Sequence, residues 1–109
     1  MHDVVDRVSL EMAKRVAARL RSNPSLMCVA RENLCRWKER HRGSPSLLLA
    51  DLEWEEILNR PLEQICRILC DESDEGQRLR QNAPFPGILS AEEVRQIKKE
   101  FRSRETART

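Results

Sequence analysis

Apolar residues recur along the first twenty positions at intervals of three and four. Val5, Val8, Met12, Val16 and Leu20 fall on one stripe of a helix over residues 3–21, because that spacing follows the helical repeat. Lys14, Arg15, Arg19 and Arg21 lie mostly off the stripe. Pro24 ends this helix and suits the first position of the next one, with Asn23 as its N-cap. A second helix over 24–41 sets Met27, Ala30, Leu34 and Trp37 on an inward face, and Gly43 closes it as a C-cap. A third, over 46–59, turns Leu47, Ala50, Trp54, Ile57 and Leu58 inward. Leu48, Leu49 and Leu52 leave it apolar around much of its circumference, so it is either central or offers a second face to a partner.

Asn59-Arg60-Pro61 repeats the same punctuation. A fourth helix over 61–71 buries Leu62, Ile65, Cys66 and Leu69. Ser73 caps a short fifth helix over 74–82, whose acidic first turn suits the helix dipole. Ser90 and Glu93 form a capping box for a last helix that points Val94, Ile97 and Phe101 inward. No stretch alternates as a strand does. The pattern predicts an all-α protein: a single compact domain of five or six short helices over residues 1–102, with a polar, frayed tail over 103–109.

Composition agrees with this class. In 109 residues there are 4% aromatics and no Tyr, so the core rests on Leu, Ile, Val, Met and Ala. A chain of this size buries one modest core and has little left for a deep cleft. Charge is uneven. Residues 1–50 carry 10 basic and 5 acidic side chains, a balance of +5; residues 51–75 carry 2 and 9, a balance of −7; residues 76–109 carry 8 and 4, a balance of +4. The acidic block either docks on the basic blocks within the fold or meets a basic partner.

The chemistry-bearing residues are sparse. Cys28 and Cys35 stand two helical turns apart, and Cys66 and Cys70 one turn, a spacing that does not converge four thiolates on one zinc ion. They read as small apolar residues. The three glycines are isolated and make no phosphate loop, and His41 sits among Lys38, Arg40 and Arg42. No catalytic residue, metal or cofactor is expected, and the chain is not read as an enzyme. The start is too charged for a signal peptide and no apolar run spans a bilayer, so the expected location is the cytoplasm, with no membrane partner and reduced thiols.

Two features remain for recognition. Arg36, Lys38, Arg40 and Arg42 crowd the second helix and its end, and could contact nucleic acid; this is the alternative reading, a small nucleic-acid-binding regulator. The other feature is Gln81 through Ser90, where Pro84 and Pro86 bracket Phe85 and Gly87 follows. The prolines pre-set the backbone, so little entropy is lost on docking. Phe85, Pro86, Ile88 and Leu89, flanked by Arg78 and Arg80, are the candidate partner-binding residues. The same apolar residues can instead fold back as the lid of a small core.

The stretches Arg31-Glu32-Asn33-Leu34-Cys35-Arg36-Trp37 and Arg78 through Leu89 resemble motifs of a group of small bacterial and cyanobacterial antitoxin-like helical proteins. The resemblance covers about residues 16–101 and departs at Pro86, where the group carries a small residue, and after Glu93, where it carries an aromatic one. It implies a protein-binding module that neutralises another protein, a toxin-like partner encoded nearby, by covering its functional surface. It supplies no catalytic residues, and a homo-oligomer is compatible with it.

Overall fold

Helix α1, Val4–Ser22, is the element against which most of the others pack: α4, α5 and α6 all contact it. The computed structural model describes residues 4–108, with the side chains of residues 6–104. A 3₁₀ turn, Pro24–Leu26, leads into α2, Met27–Arg40; then come α3, Pro45–Leu58, α4, Leu62–Leu69, α5, Asp74–Arg80, and α6, Ala91–Arg108. The described residues are all-α, six helices in one domain, with no strand. No helix among them is long and apolar enough to cross a membrane.

The core follows the stripes. Val16 and Leu20 of α1, Met27, Ala30 and Leu34 of α2, Trp54, Ile57 and Leu58 of α3, Ile65 and Leu69 of α4, and Ile97 of α6 form one buried cluster. Helix α6 lies antiparallel to α1: Arg19 pairs with Glu93 at 2.6 Å and Arg15 with Glu100 at 3.5 Å. The acidic block is met internally. Glu63 pairs with Arg21, Glu55 with Lys38, and Glu53 with Arg78, each cation coming from one of the basic blocks, and Asp51 meets the His41 ring.

Several expectations are corrected. Asn23 does not cap a helix: its side chain accepts from the Ser25 hydroxyl at 2.6 Å, and the chain first turns as 3₁₀. Gly43 is not a left-handed C-cap, since only Gly87 has positive φ among the described residues; His41 ends α2. Trp37 is only half-buried. Leu47 is 45% exposed, because it lies in the first turn of α3, before neighbouring helices close over it. Helix α6 continues to Arg108, through most of the stretch expected to fray. Two caps are as expected: Ser73 Oγ accepts from the Gly76 amide, and Ser90 and Glu93 exchange hydrogen bonds at 2.9 and 3.1 Å.

Candidate functional site

The segment between α5 and α6 is held from behind by α2. Asn33 is buried, and its Nδ2 donates to the carbonyls of Pro84 at 3.2 Å and Pro86 at 2.8 Å. Prolines lack an amide hydrogen, so this stretch cannot satisfy itself by backbone pairing, and a side-chain amide supplies the donors. Arg36 donates to Asn33 Oδ1, which fixes the orientation of the amide. The two motifs Arg31–Trp37 and Arg78–Leu89 thus meet in space. Gly87 turns the chain at φ 97°, a conformation that favours glycine, and Arg19 donates to the Ile88 carbonyl at 3.3 Å.

Phe85, Ile88 and Leu89 are 6%, 5% and 7% exposed. Phe85 meets Trp54 edge to face with ring centroids 5.5 Å apart, a favoured aromatic geometry. Trp54 donates its indole N–H to the Leu79 carbonyl at 2.9 Å. The expectation that these three residues project into a partner's pocket is therefore corrected: they are part of the core. The physical reason is size. A small core with so few aromatics gains stability from each large side chain it takes in. Pro86 stays exposed.

The flanking arginines part company. Arg80 is buried, with Nη1 donating to the carbonyls of Leu69 and Asp71, while its Nε has no hydrogen-bond partner. Arg78 lies on the surface and pairs with Glu53 at 2.8 Å and with Glu75. It borders a shallow notch lined by Leu49, Ala50, Leu52, Glu53 and Asn82. That notch opens on the outer side of α3, where Leu49 is 69% exposed and Leu52 43%. Spaced three apart, they share a face. With Leu47 they are the large apolar side chains exposed among the described residues.

A second concavity, an apolar groove of about 740 Å³, runs between α1, α6 and the proline segment. Val8, Met12 and Val16 line one side, Val94 and Phe101 another, and Phe85 and Leu89 the third. The guanidinium of Arg104 stacks over Phe101 at 5.0 Å.

Of the four basic residues expected to meet nucleic acid, three are engaged within the chain. Arg36 bonds to Asn33, Lys38 to Glu55, and Arg42 to Glu39 at 2.9 Å, while Arg40 is exposed. Cys28 and Cys35 are exposed, Cys66 is buried and Cys70 half-buried. Burial pushes the Cys66 and Cys70 thiols up, which lowers their reactivity. Among the described residues no three His, Cys, Asp or Glu side chains gather as a metal site.

Sequence reasoning missed three buried polar residues: Asn33, Asp51 and Arg80. Two of them carried a signal. Asn33 sits on the stripe of Ala30 and Leu34, and Asp51 on that of Trp54 and Leu58, so each interrupts an inward apolar face. Asp51 meets His41 Nδ1 at 2.6 Å. No protein family, curated protein or solved structure matches the chain.

Proposed function

We propose that this protein is a protein-binding module that neutralises another protein by covering its functional surface, with the leucine face of α3 as the contact. The observation that carries the reading is the exposure of Leu47, Leu49 and Leu52 at 45%, 69% and 43%. A small domain that needs its large apolar side chains inside has left three of them in water on one helix. Leu49 and Leu52, three apart, share a face, and an exposed apolar patch marks an interaction site. Removing such a side chain from water returns about 1.5–3 kcal/mol when burial is complete. Arg78, beside Leu49 and Leu52, adds a polar rim held in place by Glu53 and Glu75, the arrangement of a dry centre with a charged margin.

The neutralising, antitoxin-like role rests on the two motifs, Arg31–Trp37 and Arg78–Leu89, and the expected partner is a cytoplasmic protein encoded nearby. In this reading the motifs build the body of the module, since Asn33 ties one to the other, and α3 presents the contact. Nucleic-acid binding draws less support, because Arg36, Lys38 and Arg42 already have partners within the chain.

The test is co-expression of the chain with the product of the adjacent gene, followed by co-purification. A stable complex that is lost with Leu49→Glu and Leu52→Glu, at unchanged melting temperature, supports the reading. A complex indifferent to both substitutions, self-association through α3 alone, or salt-sensitive DNA binding with no protein partner each overturns it.

A further inference from the structure

Helix α2 turns two cysteines outward, and the α3 reading uses neither. Cys28 and Cys35 are exposed, on the side of α2 away from the buried Met27, Ala30, Asn33 and Leu34. They stand seven residues apart, so at about 100° per residue they point within about 20° of one another. Arg31 and Glu32 lie between them, about 50° to either side of that line. Both are exposed, and neither makes an ion pair with any described residue. The charges just beyond them are taken: Lys38 by Glu55, Glu39 by Arg42, and Arg36 by Asn33. The outward stripe of α2 is thus two thiols, flanked on one side by a cation and on the other by a carboxylate.

The two thiols cannot join each other. Seven residues of helix hold their Cα atoms about 10 Å apart, and a disulfide needs them within about 7 Å. The flanking charges say which outside thiol fits. Against a second copy of α2 laid parallel, the left flank of one helix meets the right flank of the other. Arg31 then lies beside Glu32 of the second copy, and Glu32 beside its Arg31. The same register sets Cys28 against Cys28 and Cys35 against Cys35. In the antiparallel orientation like flanks meet, and Arg31 would face Arg31. The stripe is therefore self-complementary in one orientation, as a two-fold contact requires. Exposed ion pairs contribute little, and a stripe this narrow is well short of a stable interface. A covalent bond is what makes the contact persist.

We propose that α2 is an oxidation-dependent dimerisation surface, on which two copies of the chain join in parallel through disulfides from Cys28 to Cys28 and from Cys35 to Cys35. The oxidant is a peroxide. One thiol takes an oxygen from hydrogen peroxide, leaving a sulfenic acid and one water. The facing thiol of the second copy attacks that sulfur, the S–S bond forms, and the oxygen leaves as a second water. For each bond, two thiols lose two electrons and two protons, and one hydrogen peroxide becomes two waters. A reducing compartment keeps the copies apart, and a rise in peroxide joins them. None of the exposed α3 leucines takes part, so either proposal stands if the other fails.

The experiment treats the reduced full chain with a small excess of hydrogen peroxide at low salt. Non-reducing gels follow the covalent dimer, and mass spectrometry of its peptides maps the links. The expected product is a dimer reversed by dithiothreitol, linked Cys28 to Cys28 and Cys35 to Cys35. Cys28→Ser should still dimerise through Cys35, and Cys35→Ser through Cys28, while the double variant stays monomeric. Arg31→Glu brings like charges together on both flanks and should slow dimer formation by about fivefold at unchanged melting temperature. Adding Glu32→Arg to it should restore the rate, and Leu49→Glu with Leu52→Glu should leave the rate unchanged. Links crossed from Cys28 to Cys35, a dimer that persists in the double cysteine variant, or thiols that end as sulfinic acid on monomers each overturns the proposal. So does a rate indifferent to Arg31→Glu, or one that falls with the leucine substitutions.

Discussion

Asn33 Nδ2 lies 2.8 Å from the carbonyl oxygen of Pro86, and this contact joins residues 53 positions apart in the chain. It turns the Pro-Phe-Pro stretch inward, so that Phe85 lies on Trp54 and the outer side of the stretch becomes a groove wall. The segment's rigidity then serves the body of the module rather than a projecting anchor.

Asn33→Ala removes the donor to two proline carbonyls, one of them, Pro84, on a buried residue. The expected loss is about 1–3 kcal/mol, the cost of leaving the buried Pro84 carbonyl dry, since Pro86 is exposed to water. Urea unfolding measures it. A loss below about 0.5 kcal/mol, the range of ordinary surface substitutions, would show that the clamp does not hold the segment.

Phe85→Ala should cost about 3–5 kcal/mol, the range for emptying an aromatic site in a core. A large melting shift with partner binding intact in the folded fraction is the expected result. A partner-binding defect at unchanged melting temperature would restore Phe85 as a projecting anchor.

Gly76 and Gly43 should respond in opposite ways to alanine. A Cβ at Gly76 would stand 2.1 Å from the Asp71 carbonyl oxygen and 2.7 Å from its carbon, whereas nothing lies within 4 Å at Gly43. The Asp71 backbone must shift to admit Gly76→Ala, so that variant loses at least about 2 kcal/mol, as strained or overpacked sites do. Gly43→Ala is neutral or gains up to about 1 kcal/mol by narrowing the unfolded ensemble. Thermal melts of the two variants decide the matter.

These contrasts show how far the sequence carries. Helix number, the inward stripes apart from Trp37 and Leu47, and the caps at Ser73 and Ser90 were legible, because periodicity and capping are local properties of a few adjacent residues. Tertiary placement was not. Nothing local distinguishes a Phe between prolines that projects from one that folds back, and the donor that decides it, Asn33, lies in another helix. Arg80 was read as a flanking contact, yet it is buried beneath α4, where the carbonyls of Leu69 and Asp71 receive it. The exposed leucines of α3 were visible as an excess of apolar residues, but which of them stay in water depends on where the neighbouring helices lie.

Acid should weaken the junction of α1 and α6. Arg19 and the Ser90 amide hold the Glu93 carboxyl down at about 2, against an ordinary value of 4.5. A carboxylate whose value is depressed in the folded state stabilises the fold fully above its unfolded value, and the contribution fades as pH falls toward the folded one. The melting temperature is therefore expected to drop between about pH 4.5 and about pH 2. Glu93→Gln should lower it near neutrality and flatten part of that acid response. An acid profile identical in the variant would show that Glu93 does not carry the acid response.

The central claim is that a protein partner docks on the leucine face of α3. Its most direct measurement is the affinity of the purified chain for the adjacent gene's product, before and after Leu49→Glu and Leu52→Glu. The substitutions should weaken binding by at least about a hundredfold, or 2.7 kcal/mol, the scale of two buried anchors lost from an interface, while circular dichroism and melting stay unchanged. Binding that survives both substitutions in a folded protein would contradict the claim.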